Sequence, residues 1–374
     1  MKGTIKKAGL VLAFFLIFLG KQAHSETHVA ALQDAQGSQE KARIQGLIDQ
    51  AKAEGSLAID GIMVEPKHAK YISEGFRAYY GLSKLEVKYT YGSANSIVTK
   101  VNQLLTAKRP TPDIVWNVTW AWYKELISRK QLLAYDSPHY KAYTVSNEIG
   151  NSMPGYWVAD SYAFSPMWSP SALEKAGVKN FNPTGWWDFT DPKFTKMVSM
   201  GNILRGGSAT LWGLGLRKTL GDEWFIKIAK LKPAFFVKTA QGRDWCASGE
   251  YPIDLYSHAK NAETVKKGGV TVKLLYPKEG VVLLPFAPVI LASGPHPNAA
   301  KLFIDYVRSV PGTNRMAASG VSLFFGRPGV KIPPNEFLPP VEKIKAIPMN
   351  WDKEATPEAI KEISAWSQKI GASF

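Results

Sequence analysis

Apolar residues along this chain recur with two alternating periods. From Lys41 they fall at Ile44, Leu47, Ile48 and Ala51, one face of a helix that Gly55 closes. Leu57–Met63 reads as a short strand. Ala69, Ile72, Phe76 and Tyr79 mark a second helix ending at Gly81, and Leu85, Val87, Tyr89 and Tyr91 alternate as a second strand. Gly92-Ser93 turns the chain into a helix carrying Ile97, Val101, Leu104 and Leu105, closed by Pro110 and Pro112. Asp113–Asn117 is the third strand. Strand–helix–strand–helix–strand is the signature of a parallel α/β sheet.

An aromatic-rich portion follows, with Trp116, Trp120, Trp122, Trp157, Trp168, Trp186 and Trp187 punctuated by Pro154, Pro166, Pro170 and Pro183. Its irregularity marks a crossover between two units. The pattern then restarts. Met197–Met200 is a strand, Asn202–Ser208 a glycine-rich turn, and the helix after it runs to Leu220, with Gly221 as its cap. Phe235–Lys238 is the next strand, Ala240–Arg243 its exposed end, Asp244–Ser248 a short helix and Ile253–Tyr256 a third strand. Ala287–Ala292 suits a buried strand. Pro297 and Asn298 introduce a helix whose face is Ala299, Leu302, Phe303, Tyr306 and Val307. A last helix starts at Thr356 as N-cap with Pro357 behind it, and buries Ile360, Ile363 and Ile370 with Trp366 near that face.

The 374 residues, 45% hydrophobic and 21% charged, are enough for two such units. The first residues belong to neither. Lys2, Lys6 and Lys7 precede an apolar run from Ala8 to Leu19, and Ala23 and Ser25 fit the small-residue pattern of a cleavage site after Ser25, so residues 1–25 read as a secretory signal peptide. The run is too short to span a bilayer. No cysteine stands at the cleavage point for lipid attachment. Residues 26–40, polar and without period, read as a loose leader. Cleavage removes four lysines and no acid, lowering the formal charge from +15 to +11. An anionic ligand, a negative envelope surface or solubility would each account for that charge. The basic residues are scattered, so no nucleic-acid arm is expected. Cys246 is the one cysteine, which leaves no internal disulfide and predicts a buried thiol.

Parallel sheets bind ligands beyond the carboxyl ends of their strands. Those ends are Asp60–Glu65, Tyr91–Asn95 and Asn117–Trp120 in the first unit, and Asn202–Ser208, Thr239–Arg243 and Asp254–His258 in the second. The expected ligand-binding residues are therefore Asp60, Gly92, Ser93, Asn95, Asn117, Trp120, Arg205, Gly207, Ser208, Arg243, Asp254, Tyr256 and His258. Gly92-Ser93 and Gly207-Ser208 each precede a helix, whose free N–H groups and dipole favour an anion; the same serines would also serve as plain caps. Arg205 and Arg243 stand nearby. Trp116 and Trp120 could stack on a ligand ring or pack in the core. Glu65 and His68 have the i, i+3 spacing of a metal pair or of a solvated helix face. His-Glu-x-x-His, Gly-x-Ser-x-Gly and phosphate-loop signatures are absent, so neither an enzyme nor a cofactor is expected.

The segments ASGEYPIDLY (Ala247–Tyr256), KKGGVTVKLLYPKEG (Lys266–Gly280), NAAKLFIDYV (Asn298–Val307) and DIVW (Asp113–Trp116) make nearly the whole mature chain resemble the periplasmic substrate-binding proteins of ABC importers, in the branch holding ferric-ion and organic-anion binders. The resemblance implies a two-lobed type II α/β fold, each lobe a mixed, mainly parallel sheet flanked by helices, with the ligand trapped between. It divides the chain into a first lobe of residues 41–155 and 281–330, a second of 156–280, and a C-terminal helical segment, 331–374, packed on both. Tyr276–Gly280 is the return crossover near the hinge. It also implies a periplasmic monomer that delivers its ligand to a permease and ATPase. Ferric-ion binders carry adjacent tyrosines where this chain has Ala259 and Lys260. Tyr256 stands alone, so iron, which would draw on Tyr256, Asp254 and His258, gives way to a small organic or phosphate-like anion. A ferric-ion binder, a secreted hydrolase or lyase, and a ligand-sensing partner of a membrane receptor are the alternatives.

Overall fold

Two five-stranded sheets organise the chain. The computed structural model describes residues 29–62, 64–144, 152–354 and 356–370. The expected signal peptide, Met63 at the end of the first predicted strand, and the Ile360 side chain lie outside the described residues.

In chain order the strands are β1 (Ser56–Gly61), β2 (Glu86–Tyr91), β3 (Ile114–Asn117), β4 (Ser152–Met153), β5 (Trp157–Val158), β6 (Asp160–Ala163), β7 (Ser165–Trp168), β8 (Val198–Gly201), β9 (Ala234–Phe236), β10 (Ile253–Ser257), β11 (Lys273–Leu274) and β12 (Leu283–Ile290). The first sheet runs β2-β1-β3-β12-β6 and the second β11-β7-β10-β8-β9, with β4 and β5 a separate small pair. Parallel pairing joins β1 to β2 and β3, and β8 to β9 and β10. One strand in each sheet runs against the rest: β12, antiparallel to both β3 and β6, and β7, antiparallel to both β10 and β11. β3, β10 and β12 are buried along their whole length, including the polar Asn117 of β3 and Asp254 and Ser257 of β10.

The chain passes between the sheets twice. Only Phe164 separates β6 of the first sheet from β7 of the second. β6 therefore lies with the first lobe, although it falls within residues 156–280, expected in the second. The other passage lies between β11 and β12. There Val281 donates to Lys345 O at 2.9 Å and accepts from Ile347 N at 2.8 Å, so the C-terminal chain runs beside it.

Two local expectations are corrected. Residues 30–40 are not a loose leader, because helices span Ala30–Asp34 and Gly37–Glu54. The second of these is tied down at its C-terminus, where Glu54 accepts from Asn298 N (3.0 Å) and Ala299 N (2.8 Å) and so caps the helix Pro297–Arg308. Gly221 does break its helix, as expected: at φ 72° and ψ −179° it is non-helical, and a second helical stretch follows it to Lys230, burying Trp224, Phe225 and Ile228. Ala240–Arg243 is no strand end, because β9 stops at Phe236 and a helix spans Thr239–Ser248. The C-terminal segment is irregular before its helices Trp351–Glu354 and Pro357–Lys369. The latter has the expected Thr356 cap and docks Trp366 on the Gly207–Lys230 helix, under the Arg217 guanidinium at 4.5 Å. Cys246 is buried, as expected. Among the described residues no helix is long and apolar enough to cross a membrane.

Candidate functional site

Where the carboxyl ends of the two sheets meet, residues of both lobes enclose a cavity of about 160 Å³. The first lobe contributes Ser93, Ala94 and Asn95. The second contributes the run Arg205–Ala209, with Gly201, Asn202, Phe236, Val237, Thr239 and Tyr256. Two helix N-termini thus face one another. A Cβ on Gly207 would stand 3.7 Å from Asn95 Oδ1, which measures how closely the lobes approach.

The N-termini differ in what they leave free. Ser93 caps its own helix: its Oγ accepts from Ser96 N at 3.2 Å, and Ser96 Oγ accepts from Ser93 N at 3.0 Å. The capping role foreseen for Ser93 is present, at the wall of the cavity. The opposing helix starts after Gly206, at φ 80° and ψ −175°, and no side chain caps it. Its first N–H groups have no partner within the helix. Glycine supplies both the left-handed backbone and the clear approach.

Charge follows the same pattern. Arg205 is exposed on the rim and makes no ion pair with a described residue. Among the described residues, no aspartate or glutamate lines the cavity. A positive helix terminus and a guanidinium without a facing carboxylate favour a bound anion.

Tyr256 forms the floor. Its ring stacks on Phe164 at 3.6 Å between centroids and meets Trp212 edge-on at 5.0 Å. Its hydroxyl donates to Ser208 Oγ at 2.7 Å. Burial raises its phenol well above the ordinary range. Tyr162 of β6 lies near enough to Ser208 for that hydroxyl to oppose the rise that burial gives its phenol. The ring fits because residue 201 is glycine; a Cβ there would lie 2.5 Å from Tyr256 Cδ1.

Of the expected residues, Ser93, Asn95, Arg205, Gly207, Ser208 and Tyr256 come together around the cavity, and Gly92 adjoins it. The others do not line it. Asp60 is buried and holds Lys100 Nζ at 2.7 Å. Asn117 is buried, donating to Ala94 O at 3.2 Å, so it positions the first turn of the Ser93-capped helix. Trp120 packs edge-on against Trp157 at 5.0 Å, and Trp116 stacks on Phe286; both are core residues. Arg243 pairs with Asp244 at 2.8 Å on its helix. Asp254 is fully buried, Oδ1 accepting from Tyr256 N at 2.9 Å and Oδ2 without a partner, and burial pushes its carboxyl up to about 7. His258 precedes the helix Ala259–Lys267, its Nδ1 unpartnered. Burial, then Arg243 and Lys260, push its imidazole down to about 4. The strand-end stretches held Asn202 and Thr239, but neither was among the expected ligand-binding residues, and Gly201, Phe236, Val237 and Tyr162 were missed. Phe236 and Val237 fell inside the strand read over Phe235–Lys238, which in fact ends two residues earlier, at Phe236.

Residues 109–353 match the model of a family described as bacterial extracellular solute-binding protein. No curated protein matches the chain. Among solved structures it is similar to the periplasmic binding protein AfuA of Actinobacillus pleuropneumoniae with exogenous fructose-6-phosphate bound, at 18% identity and a TM-score of 0.68, over 85% of this chain and 99% of that one. The periplasmic binding protein P5PA is similar at 19% identity and 0.67, over 84% and 99%. Iron-bound HitA of Pseudomonas aeruginosa follows at 15% and 0.65, over 84% and 99%. These likenesses establish the fold as the two-lobed, type II periplasmic binding protein arrangement.

Proposed function

This chain belongs to the bacterial extracellular solute-binding proteins, and we propose that it captures a small anion (an organic acid, phosphonate or phosphate ester) between its lobes and hands it to the permease and ATPase of an ABC importer. The observation that carries this reading is the inter-lobe cavity itself: uncapped helix N–H groups at Gly206–Ser208, an Arg205 with no ion-pair partner among the described residues, and no described carboxylate in the lining. Binding acts through lobe closure. A ligand touching both Ser93–Asn95 and Arg205–Ser208 has contacts that the open form cannot make together, and that differential affinity moves the equilibrium. In this reading the protein works as a periplasmic monomer, without a cofactor.

The ferric alternative would draw on Tyr256, Asp254 and His258. Only Tyr256 lines the cavity, and its hydroxyl is held by Ser208. Catalysis has no support in the lining either, since Ser208 faces phenols and no described general base. A thermal-shift screen of phosphonates, phosphate esters, carboxylates and Fe³⁺ tests the reading. Arg205→Ala should weaken the best anion by roughly tenfold or more, the scale of a charge-assisted hydrogen bond. Stabilisation by Fe³⁺ alone, abolished in Tyr256→Phe, would overturn it.

A further inference from the structure

We propose that the ligand joins its anionic head to an apolar body, and that Tyr91 and Val237 hold that body at the mouth of the cavity. This rests on the anion reading above and narrows it.

Large hydrophobic side chains are exposed at three described positions: Tyr91 at 52%, Val237 at 67% and Ile332 at 44%. Two of the three lie towards the cavity, Val237 in its lining and Tyr91, on the other lobe, two residues before the lining residue Ser93. Val237 lines it directly, in the turn after β9. Tyr91 ends β2 and leads straight into Gly92-Ser93, and its phenol lies within electrostatic range of Tyr162, which lies near Ser208. Ile332 lines separate grooves of the Gly320–Leu338 segment.

The exposure of Tyr91 has a local cause. β2 alternates, with Val87 and Tyr89 turned inwards and Glu86, Lys88 and Thr90 outwards. Period two puts Tyr91 on the packed face. Its register partner on β1 is Gly61, which has no side chain to cover the ring. The ring is left on the ligand edge of the sheet. Val237 is uncovered because β9 stops at Phe236 and the next helix begins at Thr239.

Size points the same way. A cavity of about 160 Å³ equals roughly five waters at ~30 Å³ each. That room takes a phosphonate or carboxylate head. Anything attached must leave through the mouth, where it meets Tyr91 and Val237. The tryptophans offered by the sequence for stacking lie in the core, so this ring takes that place. Covering exposed apolar surface adds affinity without direction, whereas the head fixes orientation.

The test is calorimetric titration of the mature protein with two matched pairs, methylphosphonate against phenylphosphonate and acetate against benzoate. In whichever pair binds, the aryl member should bind at least tenfold more tightly. The Tyr91→Ala, Val237→Ser double variant should bring that ratio below about threefold. Both positions are exposed, and unchanged melting of the variant checks its fold. Equal affinity within the binding pair, or a ratio that survives the double substitution, overturns the inference and leaves the anion reading standing. Failure of all four compounds overturns both.

Discussion

The Tyr256 hydroxyl donates to Ser208 Oγ at 2.7 Å, joining the end of β10 to the first turn of the helix that faces Ser93 and Asn95. Tyr256→Phe keeps the ring on Phe164 and removes only this bond. The expected loss is about 1 kcal/mol of stability, the net worth of a partly buried hydrogen bond. Ser208→Ala should cost a similar amount. Because both remove the same bond, the double variant should cost less than the sum, with a coupling of about 1 kcal/mol in urea unfolding. Strict additivity would show that the two hydroxyls do not act together.

Gly201 lines the cavity, and its lack of a side chain also decides where Tyr256 sits. A methyl group at 201 would meet Tyr256 Cδ1 at 2.5 Å, a distance that forces the ring to move. The ring is wedged between Phe164 and Trp212 and has little room to yield. Gly201→Ala should cost about 1–3 kcal/mol, the usual price of overpacking. Ligand affinity should fall as well, since Ser208 loses its anchor. Placing Tyr256→Val in the same chain removes the clash, so adding Gly201→Ala to that background should cost much less. Equal costs in both backgrounds would place the strain elsewhere.

These residues show how far the sequence could be read. Helix and strand periods gave the order of elements, and the strand-end rule reached Ser93, Asn95, Arg205, Gly207, Ser208 and Tyr256 without a structure. The rule failed where a strand-end side chain turned inwards. Asp60 met Lys100, Asn117 met Ala94 O, and Trp120 met Trp157, none of which is a neighbour in sequence. Arg243 failed for a local reason, since β9 is shorter than its apolar run suggests and the helix absorbs the residues after it. The role of Gly201 was not legible, because it is a distance to a ring 55 positions away.

Asp160 and Arg308 form a fully buried ion pair at the start of β6, the strand that leads into the first passage between lobes. Asp160 Oδ1 also accepts from Gly326 N at 3.2 Å. Asp160→Asn would leave a buried guanidinium without its counter-charge, at a cost of about 3–5 kcal/mol. Replacing both with apolar residues of similar size, as in Asp160→Leu with Arg308→Met, should cost less than the single change, because no charge is then left unpaired. Urea unfolding of the three proteins separates these outcomes. A single variant as stable as the parent would show that the pair is dispensable.

Asp254 makes stability depend on pH, with a sign opposite to that of most carboxylates. Burial raises its carboxyl from 3.8 to about 7, outweighing the Tyr256 N and Ser257 hydrogen bonds that favour the ionised form. Between those values the folded protein holds a proton that the unfolded chain has released. Stability from this group is therefore present below about 4 and is lost as pH rises towards 7, by an amount on the order of 4 kcal/mol. His258 works against it. Its imidazole is lowered to about 4, so its contribution grows as pH rises from 4 to 6.5. Asp254→Asn isolates the carboxyl, because the amide oxygen can still accept from Tyr256 N while His258 is unchanged. The variant should melt at a temperature close to that of the parent near pH 4, and progressively above it up to pH 7. Beyond pH 7 the gap should stay constant. Parallel melting curves from pH 4 to 8 would mean that Asp254 remains ionised in the fold, with a partner for Oδ2 such as a buried water or cation.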